Sequence, residues 1–153
     1  MDITIRPADA GDRDSVRALY EHKITAEVSY DSDVKADWAD SQEAEELYEK
    51  IITQDGKIGF LAQTNEDIVG LVVIFKANIS VHESQYWKVQ SISVAPEYRT
   101  KGVGTMLMEH AMAYMKEQGG ERVVLEVASD NPAVNFYEKL GFTDLSKLLE
   151  RKL

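Results

Sequence analysis

The sequence predicts a mixed α/β fold, a mostly antiparallel central sheet flanked by about four helices. Three observations carry that expectation. Apolar residues recur at helical spacing in the stretches 12–22 and 41–52, and the pattern then changes to β-branched and aromatic runs between 58 and 94. After Pro96, helix and strand signals alternate, punctuated by Gly119-Gly120, Asn131-Pro132 and Gly141. No repeat, low-complexity segment or linker interrupts the 153 residues, so one domain spanning 1–153 is expected. At that length, folding buries roughly 70% of the surface of the unfolded chain.

In order, residues 3–6 alternate apolar and charged as a short strand, which Pro7 and Asp9 end. Asp9 with Asp12 signals a helix start, and Val16, Leu19 and Tyr20 carry that helix to about His22. The polar stretch 27–40 reads as a loop. A second helix begins near Ser41 with an apolar stripe of Ala44, Leu47, Tyr48, Ile51 and Ile52, and Asp55-Gly56 is a turn. Residues 58–63, 68–76 and 86–94 should form a three-stranded antiparallel meander, separated by Asn65-Glu66-Asp67 and by the connection 78–84. A helix follows over about 102–118. Residues 122–128 are apolar on both faces except Glu126, as in a central strand covered on both sides. Asn131-Pro132 opens the last helix and Gly141 closes it, because Asn suits the cap and Pro the first helical position. The tail 142–153 should add one or two strands.

Composition excludes several classes. There is no cysteine, which removes disulfides, thiolate metal sites and acyl transfer through an enzyme thiol. His22, His82 and His110 have no ligand spacing, so no metal is expected. The residues 1–10 lack a continuous apolar core, and no apolar stretch approaches the roughly 18 residues of a membrane span, so a soluble, cytoplasmic protein without a membrane partner is expected. A formal net charge of −10 argues against nucleic-acid binding. That charge is concentrated: between Glu27 and Glu49 nine acids stand against one base, Lys35.

The most informative segment lies between a strand end and a helix start, Val94-Ala95-Pro96-Glu97-Tyr98-Arg99-Thr100-Lys101-Gly102-Val103-Gly104. Glycines there let backbone N–H groups approach a phosphate, the helix start adds partial positive charge, and Arg99 and Lys101 supply full charges. It is neither a Walker nor a dinucleotide-binding pattern. The run Arg99-Thr100-Lys101-Gly102-Val103-Gly104 resembles the Arg/Gln-x-x-Gly-x-Gly/Ala signature of the GCN5-related N-acetyltransferases (GNAT). Asn131-Pro132-Ala133-Val134-Asn135-Phe136-Tyr137-Glu138-Lys139-Leu140-Gly141-Phe142 resembles the family's second signature, and Ile5-Arg6-Pro7-Ala8 its first strand.

That resemblance implies acetyl-coenzyme A as donor and direct transfer to an amine in a ternary complex. It implies a cleft splayed between the strand ending at Val94 and the one ending at Ala128. Backbone groups of Ile92, Ser93 and Val94 would pair with the pantetheine arm. Amides from Arg99, Thr100, Lys101, Gly102, Val103, Gly104 and Thr105 would hold the pyrophosphate, with Phe136 also on the coenzyme side. Tyr137 would be the acid that protonates the departing thiolate, since a phenol with a pKa near ~10 keeps its proton at neutral pH. No glutamate stands near Gln90, where some relatives have a base, and the resemblance offers Glu126 instead. A salt-bridged Glu126 with a water chain as proton path is the other reading. The Asn131-to-Tyr137 spacing is one residue shorter than the family's usual spacing, so either Asn131 or Asp130 faces the coenzyme. A coenzyme-binding sensor without turnover is the alternative function. Small molecules and peptides are both open as the amine acceptor, the acidic stretch 27–49 either draws a cationic one or is a solvated face that keeps the protein soluble, and the resemblance includes homodimers.

Overall fold

The computed structural model describes residues 1–65, 67–79 and 81–153. The expected turns at 65–67 and 78–84 include Glu66 and Ser80, which lie outside the described residues.

The described residues form a five-stranded sheet in the order β1-β2-β3-β4-β5, from strands β1 (Thr4–Pro7), β2 (Ile58–Thr64), β3 (Asp67–Ala77), β4 (Tyr86–Val94) and β5 (Arg122–Val124). The first four are antiparallel neighbours, and β5 runs parallel to β4. Helices α1 (Arg13–Val28) and α2 (Gln42–Thr53) cover one face. Helix α3 (Val103–Glu117) covers the other. Alternation along β3 sorts the core: Leu71 and Val73 pack beneath α1 and α2, while Val72 and Ile74 pack beneath α3. A fourth, short helix, α4, spans Val134–Lys139.

Local signals explain the helix starts. Asp9 accepts from Gly11 N at 2.9 Å and Asp12 accepts from Asp9 N at 2.8 Å, a reciprocal cap that starts a 3-10 turn before α1. Arg6 holds the buried Asp12 through two bonds of 2.8 Å, and keeps that carboxyl below its usual range. Ser41 caps α2 by accepting from Ala44 N at 3.1 Å.

Four sequence expectations need correction. The last helix opens at Val134 with Ala133 as its cap, not at Asn131-Pro132, because Asn131 Oδ1 takes the Ala133 amide into a turn ahead of the helix. Helix α1 runs on to Val28, past His22, because Ile24 packs into the core as one more turn of the same stripe. The strand expected over 122–128 pairs only at three residues and lies at the sheet edge, half-buried, so it is not a central strand. The tail beyond Phe142 carries no strand, and Leu145, Leu148 and Leu149 are exposed. No helix among the described residues is long and apolar enough to cross a membrane.

Two irregularities open the middle of the sheet. In the β3–β4 ladder Val73 faces Ser91 but Ile74 faces Val89, so Gln90 is left out of the ladder as a bulge. Strands β4 and β5 pair only from Tyr86↔Arg122 to Lys88↔Val124. Residues 89–94 of β4 have no β5 partner among the described residues, and this is the splay that the fold class requires.

Candidate active site

Beyond Val94 a 3-10 turn (Pro96–Tyr98) leads to the glycine-containing loop. Arg99 Nε donates to the Val94 carbonyl at 3.0 Å, folding the loop back onto the strand end. Thr100 and Gly102 have φ of +61° and +84°, left-handed residues at alternate positions, a backbone pattern of anion-binding concavities. The first helical amide bonded back is Met106 N, to Gly102 O at 3.1 Å. The amides of residues 100–105 have no acceptor among the described residues, and they stand at the positive end of α3. A diphosphate fits this donor set, since it brings several acceptor oxygens and negative charge to unpartnered N–H groups.

The glycine at 104 has a second reason. A Cβ there would stand 3.3 Å from Phe136 Cζ and 3.9 Å from Ile92 Cδ1. The loop thus touches α4 through the Phe136 ring, and Ile92 and Val94 face the same side. Ser93 points the other way, its hydroxyl donating to Leu19 O at 2.7 Å, so only its backbone is available on the open strand edge. Val103 is buried and roots the loop in the core, Thr105 is half-buried, and Lys101 is exposed.

On the α1 side of β4 lies a cavity of about 310 Å³ lined by Tyr20, Lys23, Ile24, Glu27, Val34, Lys35, Trp38, Leu47, Gln90 and Ser91. Residues 20, 23, 24 and 27 are one helical stripe. Tyr20 and Ser91 share a hydrogen bond of 2.6 Å that fixes α1 against β4. Lys23 and Glu27 form an ion pair across one helical turn. A second cavity, of about 410 Å³, is lined by Lys57, Phe75, Lys88, Val89, Gln90 and Glu126. Gln90, pushed out of the ladder, borders both.

Helix α4 carries Tyr137 between Phe136 and Phe142, with ring centroids 5.2 and 5.9 Å away. Burial, together with the neighbouring Tyr30 and Glu27, pushes its phenol up to about 12. Both ends of the Asn131 amide are engaged: Oδ1 accepts from Ala133 N at 2.9 Å, and Nδ2 donates to Tyr30 Oη at 2.7 Å. Asn131 therefore ties the start of α4 to the residues just beyond α1, while Asp130 is exposed. Glu126 has 78% of its side chain exposed and pairs with Lys88 at 2.9 Å, the salt-bridged arrangement of the two considered from sequence.

Sequence reasoning missed Glu27 as a cavity residue. Its signal was present, since Tyr20, Lys23, Ile24 and Glu27 keep helical spacing past His22. The neighbouring acids are engaged elsewhere: Arg17 pairs with Asp40 and Glu45, and Arg13 with Glu45 and Glu49.

Known proteins share this fold and much of this sequence. A family model described as "Acetyltransferase (GNAT) family" matches residues 17–142. N-alpha-acetyltransferase 30 of Schizosaccharomyces pombe is 30% identical over 67% of this chain and 68% of its own length. An N-alpha-acetyltransferase of Sulfurisphaera tokodaii is 47% identical over 39% of this chain and 37% of its own length. Among solved structures, a tetramutant of the BH1408 protein from Bacillus halodurans superposes with a TM-score of 0.86 at 19% identity, covering 98% of this chain and 99% of that one. AAC(6')-Iy, solved with the bisubstrate analog CoA-S-monomethyl-acetylneamine, superposes with a TM-score of 0.77 at 15% identity, covering 100% of this chain and 99% of that one. The chain belongs to the acetyltransferase (GNAT) family and is an N-acetyltransferase.

Proposed function

We propose that acetyl transfer proceeds by direct attack of an amine held in the cavity between α1 and the β4 bulge, with acetyl-coenzyme A on the opposite side of β4. The carrying observation is the run of unpartnered amides 100–105 at the start of α3, beside the open edge of residues 92–94. Bound there, acetyl-coenzyme A supplies the acyl group as a thioester. The amides of Thr100, Lys101, Gly102, Val103, Gly104 and Thr105 hold its pyrophosphate, and Arg99 fixes the loop against Val94. The backbone of Ile92, Ser93 and Val94 extends the sheet to the pantetheine arm. Phe136, packed on Gly104, closes that side.

Tyr137 keeps its proton across the neutral range and gives it to the departing sulfur as the new C–N bond forms and the C–S bond breaks. The amine must lose a proton in the same reaction. Glu27 lines the acceptor cavity beside its ion-pair partner Lys23 and takes that proton, directly or through water, whereas Glu126 is exposed, paired with Lys88, and borders the second cavity instead. Tyr137 regains a proton from solvent. Positioning supplies much of the acceleration, because both substrates meet at a fixed strand edge. Asn131 positions α4 and makes no coenzyme contact in this reading.

Calorimetry with acetyl-coenzyme A and thiol release with a panel of polyamines, amino acids, aminoglycosides and peptides test this reading. Coenzyme binding with turnover of at least one amine is expected. Binding without turnover of any amine would leave a coenzyme sensor, and absence of binding would remove the site.

A further inference from the structure

Gln90 borders a second cavity besides the one beside α1. Val89 and Ile74 face α3, so by alternation Phe75 and Lys88 point to the face that α1 and α2 cover. The second cavity, of about 410 Å³, therefore lies on the same face of the sheet as the first, and Gln90 borders both spaces. Its lining is cationic. Lys57 Nζ lies 3.5 Å from the centroid of the Phe75 ring. It is half-buried and has no carboxylate within ion-pair distance among the described residues. Burial, with Lys50 and Lys88 nearby, lowers its pKa, which means that its charge is held at a cost an anion would relieve. Among the described residues Lys88 pairs only with the exposed carboxylate of Glu126, a partner that a ligand anion can displace.

We propose that the acceptor is an amine carrying a carboxylate at its far end, with the amine beside Glu27 and Gln90 and the anion on Lys57 and Lys88. This rests on the acetyl-transfer reading above. It runs against the charge of the 27–49 stretch, whose acids Asp40, Glu45 and Glu49 are paired with Arg13 and Arg17 and of whose acids Glu27 alone lines the cavity among the described residues.

Two matched series test it and separate a small molecule from a peptide: ε-aminocaproate against hexylamine and hexamethylenediamine, and Ala-Ala-Glu-Glu-amide against Ala-Ala-Gln-Gln-amide and Ala-Ala-Lys-Lys-amide. Thiol release is followed at saturating acetyl-coenzyme A. In at least one series the anionic member should exceed the neutral one by about tenfold in kcat/KM, chiefly through KM. Lys57→Gln should abolish that preference, Lys57→Arg should retain it, and neither should alter acetyl-coenzyme A affinity or Tm appreciably. Equal or better turnover of the neutral or cationic members overturns the proposal, as does a preference that survives Lys57→Gln. Failure of every member while acetyl-coenzyme A still binds by calorimetry overturns it too and leaves the coenzyme site standing. Failure to bind acetyl-coenzyme A at all removes the acetyl-transfer reading and this inference with it.

Discussion

Val103, Leu107, Met108 and Ala111 root the phosphate-binding loop in the core, each 1% exposed or less, whereas no residue beyond Met115 is buried. The two candidate halves of the site thus stand on different foundations. The loop's shape follows from a helix packed against four strands. Tyr137 is carried by a six-residue helix held by the Phe136–Gly104 contact and the Asn131–Tyr30 bond. Coenzyme affinity should therefore tolerate changes at Asn131 and Tyr137, while turnover should not. On the proposed reading, coenzyme binding sits where burial is greatest and proton transfer where adjustment is easiest.

The sharpest break in that comparison comes from the loop. Gly102→Glu and Gly104→Glu should each lower acetyl-coenzyme A affinity by about a hundredfold or more, because a carboxylate would compete for the orphan amides. At Gly102 there is open space but φ is +84°, so the side chain also costs roughly 1–2 kcal/mol of backbone strain. At Gly104 the new side chain also meets Phe136. Calorimetry measures both, and unchanged affinity would remove the loop as the coenzyme site.

Next in size, Tyr137→Phe should lower kcat by roughly a hundredfold with coenzyme affinity unchanged, since the ring still packs between Phe136 and Phe142. With its phenol pushed up to about 12, ionisation of Tyr137 should not reduce the rate below about pH 10. Stability has the same sign. Tyr20 and Tyr48 are also raised by burial, Tyr48 to about 12, so the folded state holds protons that the unfolded chain releases near ~10. Their favourable contribution is complete below pH ~10 and is lost as the pH rises through the folded values, which a Tm series above pH 9 would register as a steepening fall.

A smaller effect should follow Asn131→Ala, which removes its bonds to Ala133 N and to Tyr30 together, about 1–2 kcal/mol locally. Lower kcat at preserved coenzyme affinity is expected, and a double-mutant cycle with Tyr30→Phe should be non-additive if the shared bond is what positions α4. Smallest of all, the combined Asp31→Asn, Asp33→Asn and Asp37→Asn change should alter acceptor KM by less than about twofold at low salt and less at high salt, because these side chains do not line the cavity. A large, salt-sensitive change in KM would restore the acidic loop as an acceptor wall.

What the sequence alone determined is local. The strands between 58 and 94, the cap at Ser41 and the loop around Gly102 and Gly104 are set by periodicity and by residues whose backbone preferences act over a few positions, so they can be read one segment at a time. Family membership follows from the two signatures for the same reason. Contacts between distant segments decided the rest. Which acids of 27–49 stay free depends on Arg13 and Arg17 of another helix, and the length of α1 depends on the core that receives Ile24. The bulge at Gln90 is a register between two strands, invisible in either one. Residues 122–128 have the apolar pattern of a central strand, but a strand is central only if another pairs with its far edge, and no residue beyond Phe142 does so here. Hydrogen-bond ladders and ion pairs across tens of residues are properties of the assembled chain, and tertiary structure alone places Glu27, Gln90 and Lys57 along one face of the sheet.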